Sequence, residues 1–464
     1  MSFPKYPEYK DSGVEWLGEV PAHWSVRRIR YVADINPSKS EARSLAGNKK
    51  VSFIPMESVG EDGTLDLKHV RPLEEVIDGY TYVRDGDVTF AKITPCFENG
   101  KAALMEGLES GIGFATTELT VLRPKPKCST GEFLFRVVHS GPFRLLGEAR
   151  MYGAGGQKRV PDDFARDFTI AWPPLTEQVA IAAFLDHETA RIDALVEEQQ
   201  RLIELLKEKR QAVISHAVTK GLDPDVPMKD SGVEWLGEVP AHWEVVRVKH
   251  SAKLESGHTP NKDKPEYWDG DIPWVSLNDS KQLASSDYID KTKFTISALG
   301  IANSSARLLP AGAVVFTRDA TIGLSAITGD EMAVSQHLIA WLCKDEIVIP
   351  EYLLLVFYAM KEELDRYTFG ATIKTIGMPD IRSLVMPLPP LSEQILVIRN
   401  VFSQREKLDR LIAEAEMASH LLLERRSALI SAAVTGKIDV RGWRPPDSAA
   451  AAPAKALLAQ EAQS

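Results

Sequence analysis

The stretch KDSGVEWLGEVPAHW, Lys10 to Trp24, recurs letter for letter from Lys229 to Trp243 in a chain of 464 residues. A repeat of that size and spacing sets the organisation of a chain before any local element is read. Two further pairs keep nearly the same offset. Pro173-Pro174-Leu175-Thr176-Glu177-Gln178 matches Pro389-Pro390-Leu391-Ser392-Glu393-Gln394, and KRQAVISHAVTKG (Lys209–Gly221) matches RRSALISAAVTGK (Arg425–Lys437). The chain therefore reads as two halves. Each has the opening motif, a module of about 145 residues, and a helical segment led by PPLxEQ. The expected divisions are 1–24 for the first motif, 25–172 for the first module and 173–220 for the first long helix. A linker with the second motif (221–243), the second module (244–388), the second long helix (389–436) and a tail (437–464) follow.

The long segments carry the clearest secondary-structure signal. Pro173 and Pro174 end the preceding strand, and Thr176 is the expected N-cap, with Glu177 and Gln178 at the positive end of the helix dipole. No Pro or Gly then appears until Gly221, the expected C′ residue. Leu185, Ile192, Leu195, Leu202, Leu206 and Val213 fit the a and d positions of one heptad frame. Leu408, Leu411, Ala415, Ala418, Leu422 and Leu429 fill the same frame in the second segment. Each helix should be on the order of 65 Å long. Two such helices in one chain most simply pack on each other, antiparallel if a pseudo-twofold relates the halves.

The modules agree only in outline. Both mix short β-type runs with turn signals. Asp85–Lys92 (DGDVTFAK) resembles Ala311–Arg318 (AGAVVFTR), each a turn, a short apolar strand and a basic residue. Near the module ends, YGAGGQKR (Tyr152–Arg159) sits where FGATIKT (Phe369–Thr375) sits in the other half. Elsewhere they share little, for example Ile54-Pro55-Met56 against Pro273-Trp274-Val275. A shared frame with different inserts fits one kind of task performed on two different targets. The fold class expected is mixed α+β: two modules of short strands and helices, separated by two long antiparallel coiled-coil-like helices.

Composition narrows the function classes. Hydrophobic residues are 44% and charged residues 26%, ordinary for a globular protein. The net charge of −10 argues against nucleic acid if spread evenly. It is not spread evenly: residues 25–172 carry about one net positive charge, and their basic side chains can gather on one face. The three cysteines, Cys96, Cys128 and Cys343, lack CxxC spacing, so no metal site is expected. Such sparse cysteine use fits a reducing cytoplasm. The opening residues MSFPKYPEYKDSG have no apolar secretory core, and the longest apolar runs fall short of a membrane span.

The sequence shows no catalytic constellation. There is no GxxxxGK[ST], no GxGxxG opening a βαβ unit, no GxSxG and no HExxH. The Asn/Asp-Pro-Pro-aromatic signature of amino-group DNA methyltransferases is missing. Pro161-Asp162 and Pro379-Asp380 are not followed by the ExK of a Mg²⁺-dependent nuclease. His23 and His242 recur with the repeat but have no carboxylate partner fixed by spacing, so a packing or capping role is expected.

GVEWLGEVPAHW at Gly13–Trp24 and Gly232–Trp243, PLPPLSEQ at Pro387–Gln394 with its twin at Pro173–Gln178, and the long helix after each resemble the specificity (HsdS-type) subunits of type I restriction–modification systems. The resemblance covers roughly residues 10–440. It implies a non-catalytic subunit whose two target-recognition domains each read half of a bipartite site in double-stranded DNA. It implies that the helices set the spacing and dock two methylation subunits. S-adenosylmethionine, ATP and Mg²⁺ would belong to partner subunits, with restriction subunits as a further partner where the complex cleaves, and no cofactor to this chain. The expected partner contacts are Trp16, Trp24, Trp235, Trp243, Glu177, Gln178, Glu393 and Gln394, the alternative being that the tryptophans only seal each module. The expected DNA contacts are Lys92, Thr94, Gln157, Lys158 and Arg159 in the first module, and Arg318, Thr321, Thr372, Lys374 and Thr375 in the second. Arg and Lys suit phosphate or guanine, and Gln suits adenine; the alternative for each is a solvated loop side chain. The Ala-rich stretch after Asp447 departs from the family pattern and reads as a disordered tail. Two rival functions are a self-contained methyltransferase or nuclease, and an adaptor that binds two proteins without DNA.

Overall fold

The computed structural model describes residues 3–154, 156–369 and 374–444, apart from the side chains of Asp269 and Phe369. Most of the expected tail, and Thr372 with its neighbours, lie outside the described residues. The chain forms two compact units, Met1–Gln199 with Met417–Ser464, and Gln200–Glu416. The first long helix, Leu175–Lys220, gives its N-terminal part to unit 1 and the rest to unit 2. The second, Leu391–Val434, is divided the opposite way.

In unit 1 the first module opens and closes on one antiparallel pair, Ser25–Arg28 against Thr169–Trp172. Its central sheet has the order Ala33–Ile35, Leu119–Pro124, Val88–Ala91, Ala102–Leu104, all antiparallel. Val88–Ala91 is buried at every position, so both of its faces are covered, and the buried Thr89 hydroxyl donates to Ala103 O. A second sheet runs Val70–Pro72, Lys50–Ile54, Ile112–Ala115, Thr81–Arg84, with the middle pair parallel. Helix Gly131–Val138 packs its buried face, including Phe133 and Leu134, into the core. Its N-cap is Thr130, whose hydroxyl accepts from the Phe133 N–H.

Unit 2 follows the same plan with different lengths. Glu244–Arg247 pairs with Val385–Leu388. The central sheet runs Ala252–Ser256, Leu338–Cys343, Val314–Thr317, Ser325–Thr328, then an added Tyr288–Ile289. The second sheet is Phe294–Ile296, Trp268–Val275, Ala333–Val334. Helix Pro350–Ala359 takes the place of Gly131–Val138 and is buried from Tyr352 to Phe357.

Two sequence expectations about the long helices are corrected. Thr176 is not the N-cap, because helix begins at Leu175. The Pro174 carbonyl accepts from the Glu177 and Gln178 N–H groups, and Pro390 does the same for Glu393 and Gln394. The heptad frame was half a seam out of phase. Ile192 and Val196 are buried in unit 1, and Leu408, Ile412 and Ala415 in unit 2, whereas Leu195, Leu202 and Leu411 are exposed. The seam therefore steps four residues and then three from Ile192, and from Leu408. Within unit 2 the helices run antiparallel, with Arg210 bridging Asp409 at 2.6 Å and Lys207 near Glu416 at 3.9 Å. Unit 1 has the corresponding bridge, Arg426 to Asp193 at 2.7 Å.

Candidate nucleic-acid interface

The repeated motif and the repeated PPLxEQ meet each other inside each unit. In unit 1 the Glu177 carboxylate accepts from Trp24 Nε1 at 3.0 Å and from the Tyr6 hydroxyl at 2.9 Å, and lies 2.6 Å from His23 Nε2. In unit 2 Glu393 accepts from Trp243 Nε1 at 2.8 Å and lies 2.7 Å from His242 Nε2. The two histidines thus have carboxylate partners that spacing could not reveal. Burial, then the Glu177 charge, pushes the Tyr6 hydroxyl well above its usual range.

Gln178 and Gln394 sit one residue further on, each without solvent exposure. The Gln394 amide donates to Ile347 O and Pro389 O and accepts from the Ile349 N–H, all at 2.9 Å. Gln178 does the same with Cys128 O, Pro173 O and the Thr130 N–H. Each glutamine therefore ties a long helix to the start of its module's buried helix. Trp24 and Trp243 are also fully buried. As surface anchors for a partner, Trp24, Trp243, Gln178 and Gln394 are corrected: their polar atoms and faces are already used inside the chain. Trp16 and Trp235 are half-buried, Trp16 stacking on Phe168 with centroids 5.2 Å apart.

The expected DNA contacts converge by one backbone device in both modules. In unit 1 the Thr94 N–H donates to Lys158 O at 3.0 Å, Val160 N–H to Lys92 O at 2.8 Å, and Lys92 N–H to Glu118 O at 2.9 Å. In unit 2 the Ala320 N–H donates to Lys374 O at 2.9 Å, Ile376 N–H to Arg318 O at 3.0 Å, and Arg318 N–H to His337 O at 3.0 Å. Bridges Ile93↔Arg159 and Asp319↔Thr375 complete the match. Lys92, Thr94, Gln157, Lys158 and Arg159 are so gathered at one edge, as are Arg318, Thr321, Lys374 and Thr375 at the equivalent edge of unit 2. Thr372 lies outside the described residues.

The side chains on these two frames differ. In unit 1 the Thr94 hydroxyl donates to Gly156 O at 2.8 Å, which shapes the loop, while Gln157 and Lys158 are exposed. Arg159 donates to both Glu118 oxygens at 2.8–3.2 Å. That hydrogen bonding holds the Glu118 carboxyl below its usual range. Lys92 Nζ lies 3.7 Å from Asp162. In unit 2 the carboxylate is Asp319, which lies 2.7 Å from His337 Nδ1 and accepts from the Thr375 hydroxyl. Arg318 Nε is buried with no hydrogen-bond partner among the described residues. Glu118, Asp319, Gln336 and His337 were not singled out in the sequence. Their only signal there was position: 118 and 337 each precede a central strand that pairs with the strand leading to Lys92 or Arg318. Among the described residues no group of His, Cys, Asp or Glu is arranged to hold a metal, and no helix is long and apolar enough to cross a membrane.

Comparison with known proteins agrees with this architecture. The family model described as type I restriction modification DNA specificity domain matches residues 21–205 and 240–411, once per half. The EcoEI specificity subunit of Escherichia coli is 38% identical over 189 residues, 40% of this chain and 31% of that protein, so the match spans less than a third of that relative. The putative MjaX specificity subunit of Methanocaldococcus jannaschii is 22% identical over 451 residues, 95% of this chain and 99% of that one. Two solved structures share the fold. One is a chain from work on complex assembly and conformational transition of the type I R-M system, with TM-score 0.74 and 17% identity over 90% of this chain and 99% of that one. The other is the HsdS subunit from Thermoanaerobacter tengcongensis, with TM-score 0.56 and 16% identity over 90% and 98%. With two family matches covering most of its length, the chain belongs to the type I restriction modification DNA specificity domain family.

Proposed function

We propose that this chain is the DNA sequence-specificity subunit of a type I restriction–modification complex. Each module reads one half of a bipartite site in double-stranded DNA, and chemistry is left to partner subunits. The observation that carries the reading is the pair of matching edges. One backbone frame holds Lys92, Gln157, Lys158 and Arg159 in unit 1, and Arg318, Lys374 and Thr375 in unit 2. Identical support with different side chains is what two readers of different sequences need, since phosphate contacts position and base contacts specify. Thr94 and Thr321 would shape or flank the same edges.

Two methylation subunits would bring S-adenosylmethionine, and restriction subunits, where present, ATP and Mg²⁺. With Trp24, Trp243 and the motif glutamines internal, the surface offered to a methylation subunit is the rim of each motif. Trp16 and Trp235 lie on those rims, and the long helices add outward leucines further along, Leu195 and Leu421 in unit 1 and Leu202 and Leu411 in unit 2. The acidic chain would bind DNA weakly alone and firmly once partners add phosphate contacts. The complex would work in the cytoplasm, where its DNA is.

The test is a genome-wide map of methylated adenine in cells with the methylation subunit, with and without this chain. Two short defined blocks around an unspecified gap, present only with the chain, support the proposal. Exchange of residues 244–388 for another module should change one block alone. Methylation unchanged by removal of the chain would leave the two-protein adaptor as the better account.

A further inference from the structure

We infer that Gln336 reads an adenine in the half-site bound by the second module, with its amide orientation fixed by a chain of hydrogen bonds that starts at Asp319. This rests on the specificity reading and names the base and the residue behind it. Asp319 is mostly buried, with 14% side-chain exposure. An ionised carboxylate only accepts. His337 Nδ1, 2.7 Å from Asp319 Oδ2, must therefore carry a proton and donate it. In the neutral imidazole Nε2 is then an acceptor. The atom facing it at 3.5 Å is Gln336 Nε2, a donor. The other end of the amide, Oε1, accepts from the Thr259 hydroxyl. Thr375 closes the chain by donating to the second Asp319 oxygen. A flip of the amide would set Oε1 against the lone pair of His337 Nε2.

The chain leaves one N–H and one oxygen lone pair of Gln336 unused, and the residue is exposed. An amide offering one donor and one acceptor matches the major-groove edge of adenine, N7 and the 6-amino group. Guanine presents two acceptors there and cytosine only a donor, so neither satisfies both groups. The location fits the same task. The His337 carbonyl accepts from Arg318 N–H at 3.0 Å, which puts Gln336 beside the gathered basic edge. Gln336 and His337 also border an open cleft of about 490 Å³ walled by Trp268, Trp274 and Phe294. Those rings offer apolar ground for the 5-methyl group of the paired thymine. In the first module Thr117 and Glu118 occupy the matching positions, and Glu118 is committed to Arg159. This Asp-His-Gln arrangement is therefore particular to the second module among the described residues.

The test uses the complete complex with its methylation subunit and reads methylated adenine genome-wide. Wild type, Q336A, Q336E and H337A are compared at every single-base variant of the motif. Exchange of residues 244–388 identifies the block that belongs to this module. The expected result is one A·T position in that block at which Q336A and Q336E lower discrimination on the order of tenfold. The other positions and the other block stay as in wild type. H337A, which frees the amide to turn, should relax that same position while Gln336 is still present. An unchanged map, a uniform loss across both blocks, or a module-2 block without an A·T pair overturns the inference while leaving the specificity role intact. A wild-type map with no bipartite motif overturns both.

Discussion

At the scale of single residues, the repeated Glu-Gln pair holds together parts that lie far apart in the chain. Gln394 satisfies a buried N–H and two carbonyls and has no exposure. Truncation strands those groups, and a stranded buried polar group costs about 1–3 kcal/mol. Gln394→Ala should therefore lower stability by about 3 kcal/mol in chemical denaturation. Gln157→Ala, at an exposed loop position, should change it by less than about 0.5 kcal/mol. A second residue sets a pH limit. Burial pushes the His139 imidazole down to about 4, with only a 3.5 Å contact to Ala102 O in its favour. The unfolded chain binds this proton near pH 6.5, so between roughly 6.5 and 4 it holds more protons than the folded one. Stability should be undiminished above that window and fall through it on acidification, by on the order of 3 kcal/mol at its foot. His139→Phe should flatten this slope in urea midpoints measured from pH 7 to 4. The Glu-Gln pair was visible in the sequence as a repeat. Its work was not, because Trp24 is 153 residues from Glu177 and Ile347 is 47 from Gln394.

At the scale of elements, both long helices were legible from periodicity and from their Pro and Gly limits, but the seam was not. Leucines flank it on both sides, so a frame built on Leu195, Leu202 and Leu411 looks as good as the true one. Packing decides: Ile412 is 7% exposed and Leu411 is 48% exposed. Ile412→Ala should cost about 2–4 kcal/mol, and Leu411→Ala less than about 1 kcal/mol, in thermal or denaturant melts. The same outward leucines then become the test of partner docking. Leu411→Glu should leave the melting temperature of the free chain unchanged and weaken its co-purification with the methylation subunit. The Arg210–Asp409 bridge is about two-fifths exposed on both sides. A double-mutant cycle should give it no more than about 1 kcal/mol.

At the scale of the whole molecule, each unit is assembled from distant pieces of chain in the same way. In unit 1 the opening motif holds the start of the first long helix through Glu177. It also receives the end of the second, where Gly436 has φ of +75° and its α-carbon faces Pro21 and Trp24. In unit 2 the second motif holds the start of the second long helix through Glu393 and receives the end of the first at Gly221, against Pro240 and Trp243. A β-carbon on Gly436 would lie 2.3 Å from Pro21 Cδ. Gly436→Ala should therefore cost about 3 kcal/mol, from the left-handed backbone and the clash together. Hydrogen exchange should show lost protection at residues 9–24 and 435–440 and none in the second module. Gly442→Ala, where a β-carbon meets nothing within 4 Å, should be silent.

Sequence alone determined the two-half plan, the presence of the two long helices and the α+β character of the modules. Those features are local or repeated: a proline pair, a heptad period, a turn before an apolar strand, a phrase written twice. Only the tertiary structure decided which leucines face inward, that Trp24 and Trp243 are internal, and that Glu118 and Asp319 govern the loops. It alone placed Gln336 at the end of a hydrogen-bond chain running through His337 to Asp319 and Thr375. Such relations depend on contacts between residues tens to hundreds of positions apart, and burial and hydrogen-bond direction exist only once those residues are brought together.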